Sequence, residues 1–351
     1  MKLLITTQKV DMNDDVLGFF HGWISEFAKN YEKVTVICLE RGQYDLPKNV
    51  KVLSLGKEGH KTGKAPSIFT RLNYIKNFLN YIIDEEPNYD KVFVHMNPEY
   101  MALGGLFWRF WGKKTALWYT HRNVDLKLKI AEKFTNVIFT ASKESFLLKS
   151  KKVQILGHGV NIEKFKCNST LAEKKSDILY VGRISKIKNQ KLLIEAVDIL
   201  VKKFKLNKLK AVFVGGAVTE EDKKYFEKLK NLVKKNKLEK NVIFEGSIPN
   251  KDIVNYYCGS RVSVNLCPTG GMDKVVLESM SCGIPIVVFN KTFSKILDNS
   301  RLVLEKKDKN ELAEKINFLF DFDINRSNKL RKLVVDDFSL DKLINKIVTE
   351  I

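Results

Sequence analysis

Short runs of consecutive apolar residues alternate with segments of helical apolar spacing along almost the whole chain. The apolar runs are KLLITT (2–7), KVTVICL (33–39), KVFVHM (91–96), TALWYT (115–120), VIFTAS (137–142) and KVQILG (152–157). A second set follows in DILYVG (177–182), KAVFVG (210–215), NVIFEG (241–246), VSVNL (262–266) and IPIVVF (284–289). Runs without polar alternation predict strands buried on both faces, as in parallel sheets. Helical spacing over 16–30, 67–86, 189–204, 219–236 and 308–320 predicts the crossover helices between them. Such alternation implies βαβ units joined by right-handed connections.

The alternation runs twice, with a polar seam, GHGVNIEKFKCNSTLAEKKS (157–176), between the two sets. The expected architecture is therefore α/β: two Rossmann-like, doubly wound parallel-sheet domains facing across a cleft, at residues 1–157 and 158–337. The last segment, 338–351, reads as a short helix with Ser339 as its N-cap and an apolar stripe of Leu340, Leu343, Ile344 and Ile347. A length of 351 residues suits two domains of this kind.

Composition removes several function classes. Hydrophobic residues make up 44% and charged residues 29%, a globular balance. No apolar run reaches the length of a membrane span, and the N-terminus lacks a signal-peptide pattern. The net charge of +20 invites a nucleic-acid reading, but no nucleic-acid motif accompanies it. Much of the excess lies on lysine-rich helical stretches such as VKKFKLNKLK, whose pattern is that of a solvated face. Attraction to anionic surfaces is the expectation. The five cysteines are scattered without a C-x-x-C and read as reduced, buried thiols of a cytoplasmic protein.

Two segments carry chemistry. In VGRISKIKNQKLLIEA (181–196) a strand ends at Gly182, and Arg183 and Lys188 stand in the loop ahead of a helix, a combination that suits an anion. Arg183 offers a forked donor set to phosphate oxygens and Lys188 a point charge. In PTGGMDKVVLESMSCGIPIVVF (268–289) a strand is followed by Gly270 and Gly271 and then a helix carrying Glu278. Backbone amides beside such glycines suit a phosphate or a sugar hydroxyl, and a glutamate there can accept from a vicinal diol.

These two segments, in this order, resemble the retaining glycosyltransferases of family 4, which have the GT-B fold. Supporting marks are GVNIEKF at the seam, FEGSIPNKDIVNYY before the glycine pair, and the terminal helix opened by FS. The resemblance covers residues 155–290 closely and the N-terminal half loosely. It implies that Arg183 and Lys188 bind the donor diphosphate as leaving group and that Glu278 holds the ribose. The amides of Gly271, Met272, Asp273, Lys274, Val275 and Val276 would meet the donor sugar and phosphate, and the stretch around Ile248 the base. It further implies that His121, in LWYTHRN, touches the donor sugar and that Gly18 is the glycine of the first loop. The family carries two glutamates in an E-x7-E pattern; here Gly270 stands in place of the first, and Asp273 is the nearest acid.

The implied activity is transfer of a sugar from a uridine or guanosine diphosphate sugar to a glycan or lipid-linked acceptor in polysaccharide biosynthesis, without metal or other cofactor. The terminal helix would cross back to the first domain, and donor binding would close the domains. The aromatic and cationic stretch GGLFWRFWGKK (104–114), together with Phe19, Phe20 and Trp23, suggests peripheral contact with the inner face of the cell membrane. A nicotinamide dehydrogenase is excluded because KLLITT is not followed by G-x-G-x-x-G. A nucleotide-sugar epimerase of the same architecture, or a nucleotide-sugar-binding or glycan-binding protein without turnover, remain the alternatives.

Overall fold

The computed structural model describes residues 1–59, 66–167, 176–269, 271–297, 301–321 and 324–351. It divides into two units. The first comprises Met1–Gly159, Pro249–Lys251 and Leu340–Ile351; the second comprises Val160–Ile248 and Asp252–Ser339.

The first unit runs β1 (Lys2–Val10), α1 (Phe19–Asn30), β2 (Lys33–Arg41), β3 (Val50–Ser54), α2 (Ile68–Asp84), β4 (Lys91–His95), α3 (Pro98–Phe110), β5 (Lys114–Trp118), α4 (Leu126–Phe134), β6 (Val137–Thr140) and β7 (Val153–Ile155). Its seven strands lie in the order β3-β2-β1-β4-β5-β6-β7, all parallel. Leu3, Leu4 and Ile5 on β1 are wholly buried, as a central strand covered on both faces must be. The order reverses between β1 and β4, which opens a crevice at their carboxyl ends, by Thr7 and His95.

The second unit continues with β8 (Ser176–Val181), α5 (Gln190–Lys202), β9 (Ala211–Val214), α6 (Glu220–Asn236), β10 (Val242–Gly246), α7 (Val254–Cys258), β11 (Ser260–Asn265), α8 (Lys274–Ser281), β12 (Ile286–Val288), α9 (Lys291–Leu297), α10 (Lys309–Leu319) and α11 (Ile324–Asp337). Its sheet is parallel, in the order β10-β9-β8-β11-β12, and reverses between β8 and β11. Ile178, Leu179, Val262, Val264 and Val287 form the spine of its core. The chain closes with α12 (Leu340–Glu350), which packs on α1 within the first unit.

Four expectations change. Phe20 and Trp23 are buried at 0% and 1% exposure, so they build the core of the first unit and cannot meet a lipid surface. In 104–114 the stretch divides: Trp108 is buried and donates from Nε1 to the Tyr89 hydroxyl at 3.1 Å, while Leu106 and Phe110 are 65% and 86% exposed. Ser339 does not cap the terminal helix through its side chain; it bridges Val160 in parallel, and its buried Oγ has no hydrogen-bond partner among the described residues. Finally, Cys167 and Cys258 form a disulfide, leaving Cys38, Cys267 and Cys282 as thiols. Sequence separation hid that pairing, because α7 brings Cys258 beside a seam residue 91 positions away.

Candidate functional site

The carboxyl ends of β8 and β11 flank the reversal of the second sheet, and the two chemical segments leave the sheet there. After β8 the chain passes Gly182 and Arg183, makes a 3-10 turn over Lys186–Lys188, and enters α5 through Asn189 in the left-handed conformation (φ 54°). The turn is held from three sides. Tyr180 donates its hydroxyl to the Lys188 carbonyl, Gln190 donates to the Arg183 carbonyl at 2.9 Å, and Asn189 donates to the Leu266 carbonyl at 2.8 Å. That last bond ties the loop after β8 to the loop after β11.

Lys188 is the half-buried cation of the site. Its Nζ lies 3.2 Å from both carboxylate oxygens of Asp273, and Asn265 donates to Asp273 Oδ2 at 3.1 Å. Burial alone would push the Lys188 ammonium down, but the Asp273 charge and hydrogen bonds outweigh it and hold the group above its ordinary value. Asp273 stands at the N-cap of α8 but makes no capping bond, because its carboxylate is turned toward Lys188.

Arg183 lies apart from this pair. It is 53% exposed, and its Nε is 3.8 Å from Asp222 Oδ2. Asp222 belongs first to the start of α6, where it and Thr219 cap one another reciprocally. Arg183, Ser185, Asn189, Asp222, Pro268 and Lys307 line a cavity of about 480 Å³ beside the strand ends.

Glu278 lies on the buried face of α8. Tyr257 on α7 donates its hydroxyl to Glu278 Oε2 at 3.0 Å, and the same hydroxyl is 3.3 Å from the Val275 carbonyl. Burial pushes the Glu278 carboxyl up and the Lys274 ammonium down, each charge limiting the other's shift. Gly271 is fixed from the opposite side, its carbonyl accepting from Asn290 at 2.8 Å.

The remaining expected residues divide. Gly270 lies outside the described residues. The Val276 amide is not available to a donor, because it is spent on the Asp273 carbonyl at 3.1 Å in the first turn of α8, and its side chain is wholly buried. Met272, Val275 and Ile248 pack half-buried against the core of the second unit, so Ile248 offers only part of its side chain to a base. In the first unit, His121 is exposed and its Nδ1 accepts from the Asn123 amide at 3.1 Å. Gly18 is the N-cap of α1, and a Cβ there would stand 2.4 Å from the Asp14 carbonyl oxygen. A side chain is sterically excluded at that turn.

Sequence reasoning missed several participants. Gly215, at the end of β9, has φ 135°, and a Cβ on it would meet the Gly182 carbonyl oxygen at 2.2 Å. The loops after β8 and β9 therefore touch through backbone alone. The sequence holds the signal in a strand ending in two glycines (VFVGG), which apolar patterning alone marks only as a strand terminus. Tyr257, Asn265 and Asn290 carried no signal, since each acts through a fold contact. The carboxyl-end crevice of the first sheet was missed as well. There Thr7 Oγ1 lies 3.1 Å from His95 Nδ1, Phe20 stacks on His95 at 3.8 Å, and Trp23 and Trp118 pack around His158.

Residues 161–333 match the family model Glycosyl transferases group 1, almost wholly within the second unit. A curated relative, an uncharacterized glycosyltransferase of Haemophilus influenzae, is 31% identical over 178 residues. The match covers 48% of this chain and 47% of that protein, so the chain spans about half the length of the relative it matches. Among solved structures, Alr3699/HepE of Anabaena, in complex with UDP and glucose, superposes with a TM-score of 0.75 at 15% identity, covering 100% of this chain and 99% of that one. Sucrose-phosphate synthase of Thermosynechococcus elongatus gives 0.74 at 14% identity over 99% and 98%. Two parallel-sheet domains and these neighbours establish the GT-B fold.

Proposed function

We propose that this chain, whose second unit carries a group 1 glycosyltransferase domain, is a retaining, metal-independent glycosyltransferase. It would move a sugar from a nucleoside diphosphate sugar to a glycan or lipid-linked acceptor. The observation that carries the reading is the Lys188–Asp273 pair at the reversal of the second sheet. It is a cation pre-oriented by a carboxylate at the place where doubly wound sheets bind ligands. A diphosphate brings more negative charge than one carboxylate, so it draws the ammonium toward itself on binding.

In this reading Arg183 reaches a second phosphate with its forked donors, and the two cations stabilise charge growing on the departing diphosphate. They supply what a divalent ion supplies elsewhere. Glu278, held by Tyr257, accepts from the ribose diol, and the Gly271, Met272 and Lys274 backbone lines the sugar and phosphate. With both carboxylate oxygens of Asp273 on Lys188, that residue positions the cation and does not attack the sugar. Transfer then proceeds on one face. The bond from the anomeric carbon to the diphosphate oxygen breaks, the acceptor oxygen bonds to the same face, and its proton passes to the departing phosphate oxygen.

The UDP and glucose held by the Anabaena neighbour support a nucleotide-sugar donor. Ile68, Phe69 and Leu72 on α2 and Leu126 on α4 are 64%, 75%, 53% and 70% exposed, and Lys127 adjoins them. That surface, with Leu106 and Phe110, supports peripheral contact with an anionic membrane and hence a lipid-linked acceptor at the cytoplasmic face. No described helix is long and apolar enough to cross a membrane.

The test is a thermal-shift panel of nucleotide sugars, followed by radiometric transfer with and without EDTA. Stabilisation by one nucleoside diphosphate sugar and EDTA-resistant transfer with retained configuration are expected. A strict divalent-metal requirement, or release of an epimerised donor, would overturn the assignment.

A further inference from the structure

Behind Glu278, three cysteine sulfurs converge. Cys167 and Cys258 are joined, and the Sγ atoms of Cys167, Cys258 and Cys282 all lie within 4.8 Å of one another. They come from three different elements. Cys167 lies in the seam, Cys258 ends α7 directly after Tyr257, and Cys282 caps α8, with its amide bonded to the Glu278 carbonyl at 3.0 Å. Cys282 is buried, and Cys167 and Cys258 are half-buried.

We propose that, once the disulfide is reduced, these three cysteines form a binding site for a thiophilic d10 cation. Sulfur is the right donor, since thiolates select soft ions such as Cu(I), Zn2+ and Cd2+. The spacing also suits the task. A metal–sulfur bond of about 2.3 Å sets ligand sulfurs roughly 3.8 to 4.0 Å apart in tetrahedral or trigonal geometry. The Cys282 sulfur already lies within 4.8 Å of both others, and opening the disulfide lets those two separate by rotation of their side chains.

Charge is provided for. A dithiol reductant gives two electrons and two protons to Cys167–Cys258, leaving two thiols and a cyclic disulfide of the reductant. A divalent cation entering the three thiols releases three protons and leaves a site of net charge −1. The Arg331 guanidinium lies beside that charge. Its Nη1 donates to the Phe165 carbonyl at 2.9 Å and to the Ser281 carbonyl, and its Nη2 donates to the Ile162 carbonyl at 3.1 Å. Arg331 thus fixes the seam against the end of α8, the two elements that bring Cys167 and Cys282 together. Its charge already opposes the rise that burial and Glu278 impose on the Cys282 thiol.

The test uses the full chain and Cd2+ as the probe. Protein reduced with a dithiol and freed of it under nitrogen is titrated with Cd2+, following thiolate-to-metal charge-transfer absorption. One equivalent is expected to bind the reduced chain. Affinity should drop at least 10-fold in Cys282→Ser, and the band should be absent in the oxidised chain. Cys38→Ser, in the other unit, should bind as the unaltered protein does. Because Cys282→Ser could misfold, the unaltered chain is also alkylated and mapped, and Cd2+ should protect Cys167, Cys258 and Cys282 together. Absence of a saturable equivalent, binding undiminished by Cys282→Ser, or protection of fewer than all three cysteines would each overturn the site.

Discussion

Lys188 and Asp273 reach one another from opposite sides of the reversal in the second sheet, the ammonium nitrogen 3.2 Å from each carboxylate oxygen. One residue belongs to the turn after β8 and the other to the start of α8 after β11, so the pair joins the two crossovers that frame the crevice. The carboxylate keeps a half-buried lysine charged and aimed before any ligand arrives. Lys188→Ala should therefore lower kcat by roughly 10² to 10⁴ without unfolding the chain, the range for removing a group that stabilises developing charge. An unaltered kcat in a folded variant would remove Lys188 from the leaving-group role.

Asp273→Asn separates positioning from direct action through pH. In the native chain the Asp273 charge and hydrogen bonds outweigh burial, and the Lys188 ammonium persists above its usual range. Without that charge, burial prevails and the ammonium loses its proton at lower pH. The alkaline limb of the kcat/KM profile should move to lower pH in Asp273→Asn, while activity in the neutral range falls less than in Lys188→Ala. An alkaline limb in the native position would show that Asp273 does not govern Lys188.

Tyr257→Phe tests the ribose assignment with little change of shape. The hydroxyl donates to Glu278 Oε2 at 3.0 Å in a buried setting, so its removal leaves that carboxylate short of a partner. A net hydrogen-bond value of about 0.5–1.5 kcal/mol translates into a roughly 2- to 12-fold weaker Kd for free nucleoside diphosphate. Glu278→Gln should weaken the same Kd further. Calorimetry that finds both unchanged would remove Glu278 from the nucleotide site.

How far the sequence alone reaches depends on the range of the interaction. The β8 segment DILYVG and the β11 segment VSVNL were legible because a doubly covered parallel strand must be apolar throughout. Arg183, Lys188 and Glu278 were legible because their spacing is local to one strand–loop–helix step. Tyr257 was not, since nothing near it in sequence needs a hydroxyl; Glu278, 21 residues away, does. The Cys167–Cys258 bridge escaped for the same reason, and so did the turning of Asp273 away from its cap toward Lys188. Trp23 misled in the opposite direction. In an amphipathic helix, an aromatic residue destined for the core and one destined for a membrane give the same pattern.

Acid should unfold the first unit through Lys9. Its Nζ lies 2.9 Å from carboxylates of both Asp14 and Glu40, and 3.4 Å from Asp11. Burial opposes ionisation of Asp14 and Glu40, but backbone donors to Asp14 and the Lys9 ammonium beside both outweigh it and hold the two carboxyls below their ordinary range. Depressed carboxyl values stabilise the folded state above the unfolded pKa, and that stability is lost as pH falls through the folded one. All four tryptophans, Trp23, Trp108, Trp111 and Trp118, lie in this unit, so tryptophan fluorescence reports on it alone. Lys9→Met should move the acid transition seen by fluorescence to higher pH. A transition at the native pH would show that the cluster does not set acid stability.

The same fluorescence signal tests the closing helix. On α12, Leu340, Leu343, Ile344 and Ile347 are exposed by 4%, 4%, 0% and 0%, while Lys346 between them faces solvent. The helix lies on α1, with a Leu340 methyl 3.7 Å from where a Cβ on Gly22 would stand. A Cβ on Gly159 would meet the Leu343 side chain at 2.9 Å, so the fit at that point leaves no room for a methyl group. Truncating a fully buried isoleucine removes its transfer free energy and leaves a cavity, at a cost of about 2–5 kcal/mol. Ile344→Ala should lower the urea midpoint of the tryptophan transition accordingly. Lys346→Ala, on the exposed face, should change stability by less than about 0.5 kcal/mol. Equal midpoints for Ile344→Ala and the native chain would mean that α12 contributes nothing to the first unit, and that its apolar stripe is stabilised elsewhere.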